Sequence, residues 1–111
     1  MATAVRIDDV FRALADPTRR RVVERLSRRA ASVSELAAPF GMALPSFVQH
    51  LRVLERCGLV TSEKLGRVRT YQLVPKRLRQ AEDWMSAQLS LWEGRLDRFD
   101  AYVTKLHKEQ P

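Results

Sequence analysis

The sequence predicts a mainly α-helical fold with one small β-hairpin, and three observations predict it. Apolar residues recur at helical spacing in several separate segments, two short stretches alternate on either side of Gly66-Arg67, and a heptad seam runs along the C-terminal part of the chain. The 111 residues, 45% of them hydrophobic, suffice for a single domain over 1–111 with one modest core.

The first helix is expected from about Ile7 to Ala15, with Val10, Phe11 and Leu14 on one face. It stops before Asp16-Pro17, because proline disfavours helical dihedrals in the residue ahead of it. The same dipeptide opens the next helix, with Asp16 as N-cap and Pro17 at the first helical position, where its missing N–H costs nothing. That helix turns Val22, Val23 and Leu26 inward, and the Arg19-Arg20-Arg21 run reads as a solvated face. Ser32-Val33-Ser34-Glu35 has the pattern of a capping box, and a short helix containing Pro39 is expected to follow and end at Phe40-Gly41. After a turn of about three or four residues, another helix runs from about Leu44 to Arg56, with Phe47, Leu51 and Leu54 as its inner stripe. Two short helices joined by a tight turn form a helix-turn-helix, over about 33–56. Cys57-Gly58 closes the second of them, and strands from Leu59 to Leu65 and from Val68 to Val74 make a hairpin. A hairpin in this place is a wing (about 59–74), and its tip is basic, with Lys64, Arg67 and Arg69.

Beyond Pro75 the chain is expected to be helical to near its end, over about 76–107. Met85, Leu89, Trp92, Leu96, Phe99, Val103 and Leu106 follow one another at alternating steps of four and three. A 3.5-residue period keeps two helices face to face, so a long C-terminal dimerisation helix is expected, with much of its stripe buried against the same helix, or the first helix, of a second copy. Packing of the whole stripe within one chain is the alternative. Gly94 weakens the helix locally and is expected to mark a close approach.

Composition narrows the function. Charged residues make up 30% of the chain, and 20 Lys+Arg against 13 Asp+Glu leave a net charge of +7. A basic chain calls for an anionic partner, nucleic acid first and a membrane surface second. The lysines are Lys64, Lys76, Lys105 and Lys108, and the other cations are arginines, the better phosphate forks. No apolar stretch approaches a bilayer span and the N-terminus has no apolar signal core, so a soluble cytoplasmic protein without a membrane partner is expected. Catalysis fails on inventory: His50, His107 and Cys57 are too few and too scattered for a nucleophile–base pair or a transition-metal site, and no phosphate-cradling glycine loop exists. No enzyme activity, metal or cofactor is expected.

Double-stranded DNA fits by position as well as by charge. With Phe47, Leu51 and Leu54 inward, the helix presents Pro45, Ser46, Val48, Gln49 and Arg52 outward. The major groove admits one α-helix, and amide, hydroxyl and guanidinium groups can read its base edges. Gln49 can pair with adenine, Ser46 can bond a base edge or a phosphate, Val48 can touch a thymine methyl and Arg52 can reach phosphate. His50 is either a donor to phosphate or a half-buried ring bonded to a backbone carbonyl. A winged helix that binds protein or RNA without operator specificity is the alternative from another class.

Leu14-Ala15-Asp16-Pro17-Thr18-Arg19-Arg20, Ser32-Val33-Ser34-Glu35-Leu36-Ala37, Gln49-His50-Leu51-Arg52-Val53-Leu54 and Gly58-Leu59-Val60, in this order, resemble the ArsR/SmtB family of bacterial transcriptional repressors over roughly residues 7–107. The resemblance implies a winged helix-turn-helix homodimer with its recognition helix at 44–56, repressing from a promoter palindrome, with autoregulation implied on the same footing. It also implies dimerisation through the first and last helices, with Val10, Leu89, Trp92, Leu96, Phe99 and Val103 as candidate interface residues. The chain departs from metal-sensing members: Ser32-Val33-Ser34 stands where they carry Cys-Val-Cys, and Asp97, Asp100 and His107 lack the paired histidines of the last-helix zinc site. The Trp84, Trp92 and Tyr102 pattern is similar to a metal-independent branch. Cys57 is expected to be a small core hydrophobe, with a thiol switch as the alternative. An unidentified small-molecule inducer, with a pocket near Trp84 and Trp92, stays open as a partner.

Overall fold

A computed structural model describes residues 6–109 of the chain. The elements, in order, are α1 (Ile7–Leu14), α2 (Pro17–Leu26), β1 (Ala31–Ser32), α3 (Val33–Ala37), α4 (Leu44–Arg56), β2 (Val60–Leu65), β3 (Val68–Leu73) and α5 (Pro75–Glu109). This is the mainly helical winged helix-turn-helix that the sequence predicts. The chain forms two compact units, one up to Ala81 and one from Glu82 onward, the second made of the remaining length of α5.

Local sequence sets the helix boundaries. Asp16 caps α2 by accepting the Arg19 backbone N–H at 3.0 Å, and Pro17 occupies the first turn. Ser32 and Glu35 form the expected reciprocal box at the start of α3: Ser32 Oγ accepts the Glu35 N–H at 3.2 Å and a Glu35 carboxylate oxygen accepts the Ser32 N–H at 3.4 Å. α3 is shorter than expected. It ends at Ala37, because Pro39 has no N–H to donate back to the helix, and the connection to α4 spans 38–43.

The sheet has three strands in the order β1-β3-β2, all antiparallel. β2 and β3 are the wing hairpin, in register from Val60↔Leu73 to Leu65↔Val68, and the Val74 N–H extends the ladder to the Leu59 carbonyl at 2.9 Å. β1 is absent from the sequence reading. Its two residues are too short to show alternation, and it exists as a strand because Ala31 pairs with Tyr71 and Ser32 with Thr70.

The core of the first unit gathers one face from each element. Phe47, Leu51 and Leu54 of α4 are completely buried, against Val22, Val23 and Leu26 of α2, Leu36 of α3, Leu59, and Ala81 of α5. At roughly 1.5–3 kcal/mol per buried large aliphatic or aromatic side chain, this layer holds the recognition helix in place. Val10 is completely buried in the same core. That corrects its assignment to the dimer interface, since a side chain enclosed by its own chain has no surface left for a second copy.

Candidate nucleic-acid interface

The buried stripe of α4 fixes what the opposite side presents. Because Phe47, Leu51 and Leu54 recur at helical spacing, Pro45, Ser46, Gln49 and Arg52 are exposed, while Val48 and His50 are half-buried. Pro45 lies in the first turn, where its lack of an N–H removes no helical bond. Phe47 packs on Phe40 with ring centroids 5.3 Å apart, and the Arg21 guanidinium lies 4.6 Å above the Phe40 ring.

The arginine run at the start of α2 is not a simple solvated face. Arg19 donates from Nε to the Ala13 carbonyl at 2.7 Å and from Nη2 to the Arg12 carbonyl at 3.2 Å, which satisfies carbonyls at the end of α1. Arg20 donates to the Leu14 carbonyl at 2.9 Å. The remaining guanidinium nitrogen of Arg19, Nη1, lies 3.2 Å from His50 Nδ1. A guanidinium only donates, so this contact is a hydrogen bond when Nδ1 is the unprotonated ring nitrogen, with the hydrogen on Nε2. Asp16 Oδ2 is 3.7 Å from the same Nδ1. The Asp16 carboxyl titrates below the usual aspartate value, chiefly because it accepts the Arg19 backbone N–H, with the nearby His50 and Arg19 charges adding to this against partial burial. His50 therefore has a guanidinium as its partner rather than the backbone carbonyl considered from the sequence. The run of three arginines gave no signal of this role, because a contact across 31 positions of sequence leaves no periodicity.

The wing presents its cations at the tip. Gly66 supplies the positive φ, 62°, of the two-residue hairpin turn. Lys64, Arg67 and Arg69 are all exposed. Arg69 also donates to Ser62 Oγ at 2.9 Å, and Ser62 donates to the Glu55 carboxylate at 2.7 Å, so the wing is tied to the last turns of α4. Leu65 and Val68, cross-strand partners flanking the turn, are 70% and 53% exposed, an apolar pair at the basic tip that the sequence reading did not single out.

On α5, Met85, Leu89, Trp92, Leu96, Phe99 and Leu106 are between 41% and 61% exposed, and Val103 is half-buried. Among the described residues, a side chain at Gly94 would meet nothing closer than Arg98 Nη1 at 3.7 Å. Trp84 is about half exposed, like Trp92. Cys57 is buried, and loss of water pushes its thiol above the ordinary range, while the S–H points to the Leu54 carbonyl at 3.4 Å. It packs as a small core residue.

Comparison with known proteins places this geometry. A family model described as a helix-turn-helix domain matches residues 14–63. The chain is 42% identical over 78 residues to the HTH-type transcriptional regulator Rv2034 of Mycobacterium tuberculosis, covering 70% of this chain and 73% of the relative. It is 28% identical over 79 residues to the transcriptional repressor SdpR of Bacillus subtilis, covering 71% of this chain and 88% of that protein. Among solved structures, the ArsR family transcriptional regulator RHA00566 superposes with a TM-score of 0.76 at 50% identity, covering 78% of this chain and 96% of that one. An ArsR-like transcriptional regulator from Rhodococcus sp. RHA1 gives a TM-score of 0.71 at 31% identity, covering 84% and 88%. With the helix-turn-helix, the wing and these relatives in agreement, the chain belongs to the ArsR/SmtB family of transcriptional regulators.

Proposed function

We propose that the chain is a homodimeric, sequence-specific DNA-binding repressor, not an enzyme, that occupies a palindromic operator. The observation that supports this best is the two-sidedness of α4: three side chains wholly buried and, on the other side, Pro45, Ser46, Gln49 and Arg52 open to solvent. In this reading Gln49 and Ser46 contact base edges, Val48 meets a thymine methyl, Arg52 holds phosphate, and Lys64, Arg67 and Arg69 of the wing contact the flanking backbone or minor groove. His50 is engaged by Arg19 at Nδ1, so a phosphate contact of its ring runs through Nε2.

Leu89, Trp92, Leu96, Phe99 and Val103 are the interface residues of α5 in this proposal. A dimer places two recognition helices in successive major grooves, with centres ~34–36 Å apart on one face of the duplex. Autoregulation follows if the palindrome lies upstream of the chain's own gene. Relief of repression needs a ligand that binds the free dimer better than the DNA-bound one.

A gel shift on the gene's own upstream region, at two salt concentrations, tests the reading. The expected result is a discrete complex that survives competition by scrambled duplex and weakens steeply with salt through counterion release. Equal competition by scrambled and native duplex would reject operator recognition.

A further inference from the structure

We infer that Arg19 and His50 are positioning residues for operator reading, with the imidazole acting as a proton-controlled link between the recognition helix and the α1–α2 junction; this rests on the function proposed above. One guanidinium reaches both sides of that link: its Nε and Nη2 engage the carbonyls of Ala13 and Arg12 at the end of α1, and its Nη1 engages His50 in the middle of α4. The backbone N–H of Arg19 is bonded to Asp16, the N-cap of α2. His50 adjoins Gln49, so whatever holds the ring adjusts the placement of the reading side chains on a helix that the buried stripe already seats. Misplacing a reading group by even an ångström weakens contacts whose value depends on bidentate geometry.

The proton determines which side chain at the start of α2 holds the ring. In the neutral ring Nδ1 accepts from Arg19, and the hydrogen is on Nε2. A second proton enters at Nδ1. It turns that atom into a donor, removes the acceptor from Arg19 and sets two cations against each other, while Asp16 Oδ2, 3.7 Å away, becomes the available partner. Among the described residues, Asp16 and Arg19 are the charged groups in contact with the ring. Arg12 of α1 pairs with Asp9 at 3.8 Å, Glu35 of α3 with Arg25 at 3.4 Å, and Glu55, at the other end of α4, accepts from Ser62 of β2. Protonation thus exchanges the Arg19 link for one to Asp16 and shifts the reading face.

Two near-isosteric variants separate positioning from direct contact. Asparagine in place of His50 keeps an oxygen acceptor at the Nδ1 position and loses the group at Nε2, whereas glutamine does the reverse. The experiment is therefore to measure His50→Asn and His50→Gln, with the unaltered protein, on duplexes of the gene's own upstream region and of scrambled sequence, at about pH 7.5 and about pH 5.5. The preference for the native duplex should survive in His50→Asn at both pH values. In His50→Gln it should fall about tenfold at the higher pH, the scale of losing one hydrogen bond to a charged group. In the unaltered protein it should fall on acidification alone. Retention in His50→Gln with loss in His50→Asn, or equal loss on both duplexes, would overturn the inference in favour of a direct phosphate contact. Should neither variant fold, the pH profile of the unaltered protein decides, and a flat profile overturns it. An unaltered protein with no preference at pH near 7.5 refutes the functional reading itself, and the positioning role falls with it.

Discussion

Gln49 has an exposed amide in the middle of a helix whose other side is locked by three fully buried side chains. Gln49→Ala is therefore expected to cost ~1–3 kcal/mol on the operator and to leave scrambled DNA binding unchanged, read by competition titration. Leu51 lies one turn beyond Phe47 with no exposure, so Leu51→Ala should destabilise the fold by roughly 2–5 kcal/mol in denaturant unfolding. Asp16 makes a different prediction because it titrates. Its carboxyl is held below the ordinary aspartate range in the folded chain, mainly by the Arg19 N–H, so its contribution is complete above the unfolded value and is lost as pH falls through the folded one. Asp16→Ala should cost about 0.5–2 kcal/mol near neutral pH. Asp16→Asn, a comparable cap without a charge, should remove much of the extra loss of stability below about pH 4. Denaturation midpoints at several pH values would measure both.

At the scale of elements, the sequence showed what is local and hid what is not. The bounds of α4, the capping box of Ser32 and Glu35, and the Asp16-Pro17 junction all follow from residues within one turn of each other. Three features did not show. β1 is defined only by its partner on β3, Arg19 finds His50 across the fold, and Ser62 bridges Arg69 to Glu55 between the wing and α4. Each depends on which segments meet in space, and no spacing rule reports that. Val10 failed for a related reason: an apolar residue at helical spacing marks a buried face without saying which molecule buries it. The exposed basic tip of the wing was legible, and it makes a prediction of its own. Arg67 has no acidic partner among the described ion pairs. Arg67→Gln should therefore reduce the slope of log affinity against log salt by about one unit, and an unchanged slope would place the wing away from phosphate.

For the whole molecule, the question is what covers the apolar stripe of α5. Six large hydrophobic side chains at heptad spacing are each more than two-fifths exposed in the single chain, and a stripe of that size on a lone protein is an association surface. In the proposed dimer the same association brings two copies of α4 to one duplex, so oligomeric state and operator affinity must change together. Leu96, at the middle of the seam, is the position to test. Leu96→Glu would bury an unpaired carboxylate at the contact, which is far more costly than removing an apolar side chain. Sedimentation should then show monomers, and affinity for the native duplex should fall toward that for scrambled DNA, because one helix in one groove retains only half of the base contacts. The first unit, whose core does not include Leu96, should unfold at its usual denaturant midpoint. A variant that stays dimeric and binds the operator normally would show that the stripe is covered by something other than a second copy.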